Sequence, residues 1–87
     1  MSIDPLVDID SLIYRLFEEI DRQDRKHGPY QGTTLGRSRL ALATLEDEVE
    51  ESLEAWRSER KSPTWDKTRT EVLQVAAVAI RTLRDAL

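Results

Sequence analysis

The stretch Glu71-Val72-Leu73-Gln74-Val75-Ala76-Ala77-Val78-Ala79-Ile80 decides how the rest of this chain must fold. From Val72 to Ile80 every residue except Gln74 is apolar. A helix that is apolar on all sides has no face suited to water, so it lies between other elements. The stretch therefore predicts the central, buried helix of an all-α antiparallel bundle of about three helices.

The first of the other two helices is predicted over residues 5–26. Asp4-Pro5 is a helix start signal, with Asp as the cap and Pro in the first turn. Apolar residues then recur at the three- and four-residue spacing of an amphipathic helix. Gly28-Pro29 ends this helix, and a loop without periodicity is expected over 27–37.

The second helix is predicted over residues 38–60, and the third over residues 65–86. The break between them is Lys61-Ser62-Pro63-Thr64, where proline disfavours a continuous helix. Ser62 or Thr64 is the expected cap of the third helix, because hydroxyl side chains accept hydrogen bonds from the first free backbone N–H groups.

The second helix is expected to bury one apolar stripe and to approach another helix on an adjacent side. At about 100° per residue, Ala41 and Ser52 lie between the stripe and Glu48. Ala55 lies on the other side of Glu48, and such small side chains allow close helix packing. The predicted core stripe consists of Leu42, Leu45, Val49, Leu53 and Trp56.

The composition of the chain excludes several classes of function. The chain has 87 residues, 34% of them charged, with three glycines and three prolines, which favours one helical domain. A formal net charge of −4 argues against nucleic acid as the main partner. The absence of cysteine excludes disulfides, thiolate metal sites and cysteine nucleophiles. Because His27 is the only histidine, a multi-histidine zinc site is excluded as well.

The sequence also gives expectations for location and assembly. It has no apolar N-terminal run typical of a signal peptide and no stretch of the roughly 20 apolar residues that span a membrane, so a cytoplasmic protein is expected. A chain this short buries only about 60% of its unfolded surface when it folds alone. Three helices leave one side of a bundle open, so a homodimer or a homotetramer is predicted.

Acidic residues are placed to converge between the second and third helices. Asp47, Glu48 and Glu51 fall within one turn of the second helix, and Glu71 and Gln74 open the third. Residues three apart project to the same side of a helix. If the two helices pack side by side, their carboxylates meet and repel one another unless a cation lies between them. Oxygen ligands of this kind suit Mg²⁺ or Mn²⁺.

Two structural alternatives stand beside this metal-site interpretation. The acids of the second helix fit an ordinary solvated face, and Gln74 fits an amide hydrogen-bonded to a neighbouring helix. Glu71 argues against a merely solvated face, because it lies at the start of a segment whose other residues are predicted to be buried. A carboxylate there costs several kcal/mol unless it is paired or bound to metal.

At these residues the chain resembles the MazG-like, all-α nucleoside-triphosphate pyrophosphohydrolases, over about residues 18–84. That family carries Glu-Glu-x-x-Glu on one helix and Glu-x-x-Asp on the next. The matching stretches here are Asp47-Glu48-Val49-Glu50-Glu51 and Glu71-Val72-Leu73-Gln74. The run from Glu71 to Ala79, with residues 22–28, looks like a small phage and actinobacterial branch. Asp47 replaces the first Glu, and Gln74 replaces the Asp and removes one negative charge.

The resemblance implies hydrolysis of a (d)NTP to the (d)NMP and diphosphate, with a purine deoxynucleotide as the expected substrate and Mg²⁺ or Mn²⁺ as the cofactor. Its metal ligands would be Glu48, Glu51, Glu71 and Gln74. Asp47 and Glu48 would be catalytic, with Asp47 binding a second ion or orienting the attacking water. A Gln carbonyl ligates a hard cation more weakly than a carboxylate.

The resemblance also implies that phosphates and base are held by residues at the end of the first helix and on the third. Lys26 and Arg81 are expected to meet the phosphates, since Arg81 follows Gln74 by two turns on the same face. Gln23 and His27 are expected to meet the base. The loop adds Arg37 and Tyr30 as further candidates, and for each charged residue an ordinary surface role is the alternative.

Two other classes of protein remain open from the sequence. The first is a non-catalytic helical dimerisation or interaction module with a degenerate metal site, which the Gln74 replacement keeps open. The second is a nucleic-acid binder that uses Arg22, Arg25 and Lys26. Asp21 and Asp24 interrupt that basic run, so the charge pattern argues against it.

Overall fold

The chain folds as three α-helices in a computed structural model that describes residues 8–61 and 64–87. The helices are α1 (Ile9–His27), α2 (Thr34–Glu59) and α3 (Asp66–Asp85), and the described residues contain no strand. Helix α3 packs against both α1 and α2. The prediction of an all-α bundle with the third helix in the middle is confirmed. Within the described ranges, every helix is too short or too polar to cross a membrane.

Helix α1 begins later than the sequence predicts. Asp8 has an extended backbone (φ −75°, ψ 157°), and its side chain accepts a hydrogen bond from the Ser11 N–H at 2.8 Å. Asp8 is therefore the cap, whereas Asp4-Pro5, the predicted start, lies outside the described residues. At the other end, Gly28 has a φ of 69° and its N–H donates to the Asp24 carbonyl at 2.8 Å. Glycine adopts this conformation without steric cost, so the predicted end at Gly28 is confirmed.

Helix α2 begins at Thr34, four residues before the predicted start at Ser38. Thr33 is its cap, since the Thr33 hydroxyl accepts from the Gly36 N–H at 3.1 Å. The Arg37 N–H donates to the Thr33 carbonyl at 2.9 Å. The predicted loop over 27–37 is thus too long, because a capping threonine offsets the low helix propensity of Gly36.

Helix α3 begins at Asp66, one residue after the predicted start, and its cap is not the predicted one. Trp65 precedes it with a left-handed φ of 64°, and its side chain makes no capping hydrogen bond. Glu59, the last residue of α2, caps α3 instead. Its carboxylate accepts hydrogen bonds from the N–H groups of Lys67 at 3.0 Å and Thr68 at 2.7 Å. Thr64 as the cap is therefore wrong, and Ser62 lies outside the described residues.

Helix α2 turns its small residues, not its large apolar stripe, toward α3. Ala41 and Ala55 are completely buried, and Ser52 is half-buried, so the predicted close approach on that side is confirmed. The prediction that the apolar stripe forms the core of the chain is wrong. Leu45 is half-buried, but the other four residues are 41–51% exposed. We call these four the α2 stripe: Leu42, Val49, Leu53 and Trp56.

The core of the single chain is built from few and mostly small side chains. Among the described residues no large side chain is fully buried. The radius of gyration is 14.4 Å, compared with about 12 Å for a compact chain of this length. The third helix is central, but the prediction that it is buried over Val72–Ile80 is wrong at both ends, because Val72 and Ile80 are exposed. The buried apolar residues are Ile20, Ala41, Ala55, Ala77, Val78 and Ala86.

Candidate metal centre and adjoining cavity

Three carboxylates converge where α2 lies against α3. Glu48 and Glu51 of α2 and Glu71 of α3 each offer one oxygen, and these oxygens lie within 4.8 Å of one another. The convergence follows from the local sequence: Glu48 and Glu51 share a side of α2, and the alanines on that side let α3 approach. Glu48 and Glu71 are half-buried, whereas Glu51 is exposed, so the cluster opens to solvent on the Glu51 side.

The cluster suits a small hard cation in both chemistry and size. All its ligand atoms are carboxylate oxygens, which Mg²⁺ and Mn²⁺ prefer. Oxygens on opposite sides of a Mg²⁺ ion lie about 4.2 Å apart, since each Mg–O distance is about 2.1 Å. The oxygens of the cluster, which lie within 4.8 Å of one another, are thus close to the separation that such an ion requires.

Glu48 is the carboxylate most affected by its surroundings. Burial raises its pKa above the ordinary range, and the negative charges of Glu51, Glu71 and Glu19 raise it further. The positive charge of Arg22 opposes this effect. A carboxyl group that resists ionisation beside other acids is typical of functional sites. A bound cation would favour its ionised form.

The Gln74 side chain reaches two of the three carboxylates. With its amide nitrogen facing them, it donates to Glu71 Oε2 at 2.9 Å and to Glu48 Oε2 at 3.2 Å. The opposite amide orientation brings its carbonyl oxygen against the same two oxygens, where no hydrogen lies between them. The structure therefore brings together all four predicted metal ligands.

A cavity of about 250 Å³ adjoins the cluster and has walls of opposite charge. The α1 wall carries the cationic side chains of Arg22 and Lys26 together with His27, and the α2 wall carries Glu48 and Glu51. A polyphosphate bound to a divalent cation needs both kinds of partner, because the phosphates are anionic and the cation requires oxygen ligands. The remaining lining residues are Gln23, Thr44, Gln74, Val78 and Arg81.

Gln23, predicted to meet the base, is buried at the back of this cavity. Its Nε2 donates to Glu19 Oε2 at 2.8 Å and to the backbone carbonyl of Gln74 at 3.4 Å. Its Oε1 is buried without a hydrogen-bond partner. Since Glu19 can only accept, it fixes the amide orientation, and the oxygen is left as an acceptor for an incoming N–H group.

Arg81, predicted to meet the phosphates, lines the cavity but is already engaged. Its guanidinium donates to Asp24 Oδ1 at 2.8 Å and to the Gly28 carbonyl at 2.6 Å. It also lies 5.1 Å from the centre of the Tyr30 ring, and only 2% of its surface is exposed. Arg81 thus joins α3 to the end of α1, whereas Lys26 and His27 at the cavity are exposed.

Asp47 and Arg37 lie outside the cavity lining. Asp47 is exposed on α2, one position before Glu48, and its predicted part in catalysis stays a prediction. Arg37 is half-buried, and its guanidinium donates to the Gly32 carbonyl at 3.0 Å. The contact with Gly32 ties the first turn of α2 to the preceding loop.

Sequence reasoning missed Glu19, and it considered Arg22 only as part of a nucleic-acid surface. Glu19 bonds both Arg22, at 2.6 Å, and Gln23. The signal was present in the spacing: Glu19 and Gln23 are four residues apart and so are neighbours on a helix. Thr44, one turn before Glu48, was also missed because it carries no charge.

A larger cavity lies away from the carboxylates, between the first half of α1 and α3. It is an open groove of about 870 Å³, lined mainly by apolar residues. Because it lacks the carboxylate cluster, we place the candidate site in the smaller, polar cavity despite the difference in size. Residues that line the groove include Ile9, Leu12, Ile13, Leu16, Val72 and Leu73.

Comparisons with protein families, with curated proteins and with solved structures find no match for this chain. The function therefore has to be inferred from the side chains that line the cavity. Three acidic ligands, an amide and an opposing cationic wall can hold a divalent cation together with an anionic ligand. Sites of metal-assisted phosphoryl transfer combine a divalent cation with cationic side chains on the phosphates in the same way.

Proposed function

We propose that this chain is a metal-dependent (d)NTP pyrophosphohydrolase that releases diphosphate and leaves the (d)NMP, with a purine deoxynucleotide as the preferred substrate. The carboxylate cluster of Glu48, Glu51 and Glu71, which faces a cationic α1 wall across one cavity, carries this proposal. The resemblance of the acidic motifs to the MazG-like family supports the same reaction.

Glu48, Glu51 and Glu71 would hold Mg²⁺ or Mn²⁺, with the Gln74 carbonyl as a fourth ligand. When bound, the cation neutralises phosphate charge and lowers the pKa of the attacking water. Glu48, with one carboxylate oxygen on the cation, would accept the proton of that water on its other oxygen. No covalent intermediate is required.

The α1 wall would bind and orient the nucleotide. Lys26 would offer positive charge to the phosphates from the α1 side of the cavity, and Arg22 would add to it from its ion pair with Glu19. The unpartnered Oε1 of Gln23 would accept from an N–H group on the base edge, and the His27 ring would stack on the base. Arg81 would act indirectly, because it fixes the end of α1 where Lys26 and His27 lie.

A second copy of the chain is part of this proposal. Large apolar side chains are exposed on all three helices, among them Phe17, Leu53 and Val72. Their burial against another copy, in a homodimer or a homotetramer, would supply the core that one chain lacks. An assembly of this kind agrees with the MazG-like family, which builds its core by pairing subunits.

The second candidate function is a non-catalytic helical interaction module. One observation favours it: the amide nitrogen of Gln74 can donate to Glu48 and Glu71, which relieves their repulsion without a cation. Such a protein would use its exposed apolar residues for association and would not turn over nucleotides.

The deciding experiment measures diphosphate release from eight NTPs and dNTPs with Mg²⁺, with Mn²⁺ and with EDTA. We expect metal-dependent release with the NMP as the co-product, and loss of at least about a hundredfold in Glu48→Gln. Glu50→Gln is the matched control, since Glu50 is exposed on the same helix and lies outside the cavity. No release from any nucleotide, with no effect of metal on the melting temperature, would favour the interaction module.

A further inference from the structure

Gln74 is the residue at which this chain departs most from the acidic pattern it resembles, and its contacts suggest a reason. Its side-chain nitrogen carries two hydrogens, one for each of the carboxylate oxygens that it approaches. The distances, 2.9 Å to Glu71 Oε2 and 3.2 Å to Glu48 Oε2, are those of hydrogen bonds. In this orientation the amide joins α3 to α2 through Glu48 and also holds Glu71 of its own helix, without any cation.

The opposite orientation gives the same atoms a different chemistry. Rotation by about 180° about the last side-chain bond exchanges the amide nitrogen and oxygen, and this torsion is roughly two-fold in proteins. The carbonyl oxygen then faces both carboxylates, and three side-chain oxygens surround one point. Without a cation that arrangement is repulsive, but with one it is a ligand set.

We infer that Gln74 is a two-position ligand: its N–H groups hold Glu48 and Glu71 in the metal-free protein, and its carbonyl oxygen turns toward a divalent cation when one binds. The inference rests on the proposed metal site. It specifies that the cation must displace two hydrogen bonds in order to enter. The backbone need not move, because Gln74 lies within α3 and only its terminal torsion changes.

This arrangement makes the affinity for free cation lower than a carboxylate at position 74 would give. An Asp side chain adds a negative charge, has no N–H groups to displace and presents oxygen in either orientation. Changes to groups around a metal typically alter its affinity by about 10–100-fold. The chain would therefore take up its cation mainly together with an anionic ligand, whose phosphate oxygens replace the missing charge.

The test compares wild type with Gln74→Asp by thermal melting, in EDTA and across a Mn²⁺ titration. In EDTA we expect the variant to melt at a lower temperature, since a fourth acid joins the cluster and two N–H donors are lost. With Mn²⁺ we expect a larger rise in melting temperature and a dissociation constant about 10–100-fold lower than for wild type. Gln31→Asp, an equal change in the exposed loop, should match wild type in both conditions.

The outcomes separate this inference from the proposed function. If both proteins respond equally to Mn²⁺ and melt equally in EDTA, a metal site exists but the role of Gln74 is refuted. If neither protein responds to Mn²⁺, the metal site and the inference fail together. Wild type gives an independent measurement: the Gln74 side-chain NH₂ signals in ¹⁵N-edited NMR spectra should move on addition of Mg²⁺. Unchanged NH₂ signals at a Mg²⁺ concentration that stabilises the protein would overturn the inference.

Discussion

At Glu48 the requirements of stability and of metal binding oppose each other. The side chain is half-buried beside Glu51, Glu71 and Glu19, and burial is the main cause of its raised pKa. Because the folded-state pKa lies above the unfolded value, its contribution to folding is most favourable below the unfolded pKa. That contribution is lost as the pH rises through the folded pKa. At neutral pH the ionised group thus destabilises the metal-free fold.

Glu48→Gln is therefore expected to raise the melting temperature of the metal-free protein by a few degrees at pH 7.5, because it removes a charge from an acidic cluster. The same substitution should abolish the rise in melting temperature that Mg²⁺ or Mn²⁺ gives to wild type. Differential scanning calorimetry with EDTA and with metal measures both effects.

Two controls make this prediction specific. Glu50→Gln removes an equal charge from an exposed position and should change neither melting temperature. Near pH 4 the metal-free difference between Glu48→Gln and wild type should shrink, because Glu48 is then largely protonated. A variant that is less stable than wild type at every pH would contradict the electrostatic account.

Spacing within single helices made the acidic ligands predictable. Glu48 and Glu51 share a face whatever the fold, and Glu71 opens the helix that must be central. Glu19 and Arg22 were harder to predict as site residues, because their position depends on which side of α1 turns toward α3. Spacing makes Glu19 a neighbour of Gln23 but does not fix that rotation, so the part of Glu19 and Arg22 beside the predicted Lys26 emerges from the packing.

The start of α3 depends on a residue from the preceding helix. Glu59 accepts hydrogen bonds from the backbone N–H groups of Lys67 and Thr68 and from the Thr68 hydroxyl, the last at 2.6 Å. A carboxylate at a helix N-terminus satisfies free donors and interacts favourably with the helix dipole. The cap lies eight residues before its first partner, so a search for capping residues next to the helix overlooks it.

Glu59→Ala is expected to lower the melting temperature by several degrees at pH 7, because the first turn of α3 loses its acceptor. Alanine has a higher helix propensity than glutamate, so a loss would not arise from α2 itself. Thermal melting followed by circular dichroism measures the change. Glu54→Ala, an exposed change on the same helix, is the matched control and should leave the melting temperature nearly unchanged.

The Glu59 prediction has a pH dependence of opposite sign to that of Glu48. The hydrogen bond from Thr68 is the main cause that lowers the pKa of Glu59. Its stabilising contribution is fully present above the unfolded pKa, about 4.3, and is lost as the pH falls through the folded value. The gap between wild type and Glu59→Ala should therefore close toward pH 3. A gap that stays constant over this range would refute the cap.

At the scale of the whole molecule, the sequence predicts which face of a helix avoids water but not what covers that face. The α2 stripe has the spacing of a core face, yet α3 packs against the alanines beside it. Periodicity marks a face that avoids water without saying whether the same chain or another copy buries it. The molecule measures 46 × 27 × 19 Å and its core consists of small side chains, so the single chain leaves the α2 stripe exposed, as the proposed assembly requires.

Leu53→Glu tests whether a second copy covers the α2 stripe. Leu53 is 41% exposed in the single chain, so the substitution is tolerated by the monomer, whereas burial of the new charge at an interface costs several kcal/mol. A cost of about 3 kcal/mol weakens association roughly a hundredfold.

Light scattering coupled to size-exclusion chromatography should thus find wild type as a dimer or tetramer and the variant shifted toward monomer. Ser58→Glu adds the same charge at an exposed position off the stripe and should assemble like wild type. Monomeric wild type at high concentration, or a variant that assembles normally, would rule out the stripe as the interface.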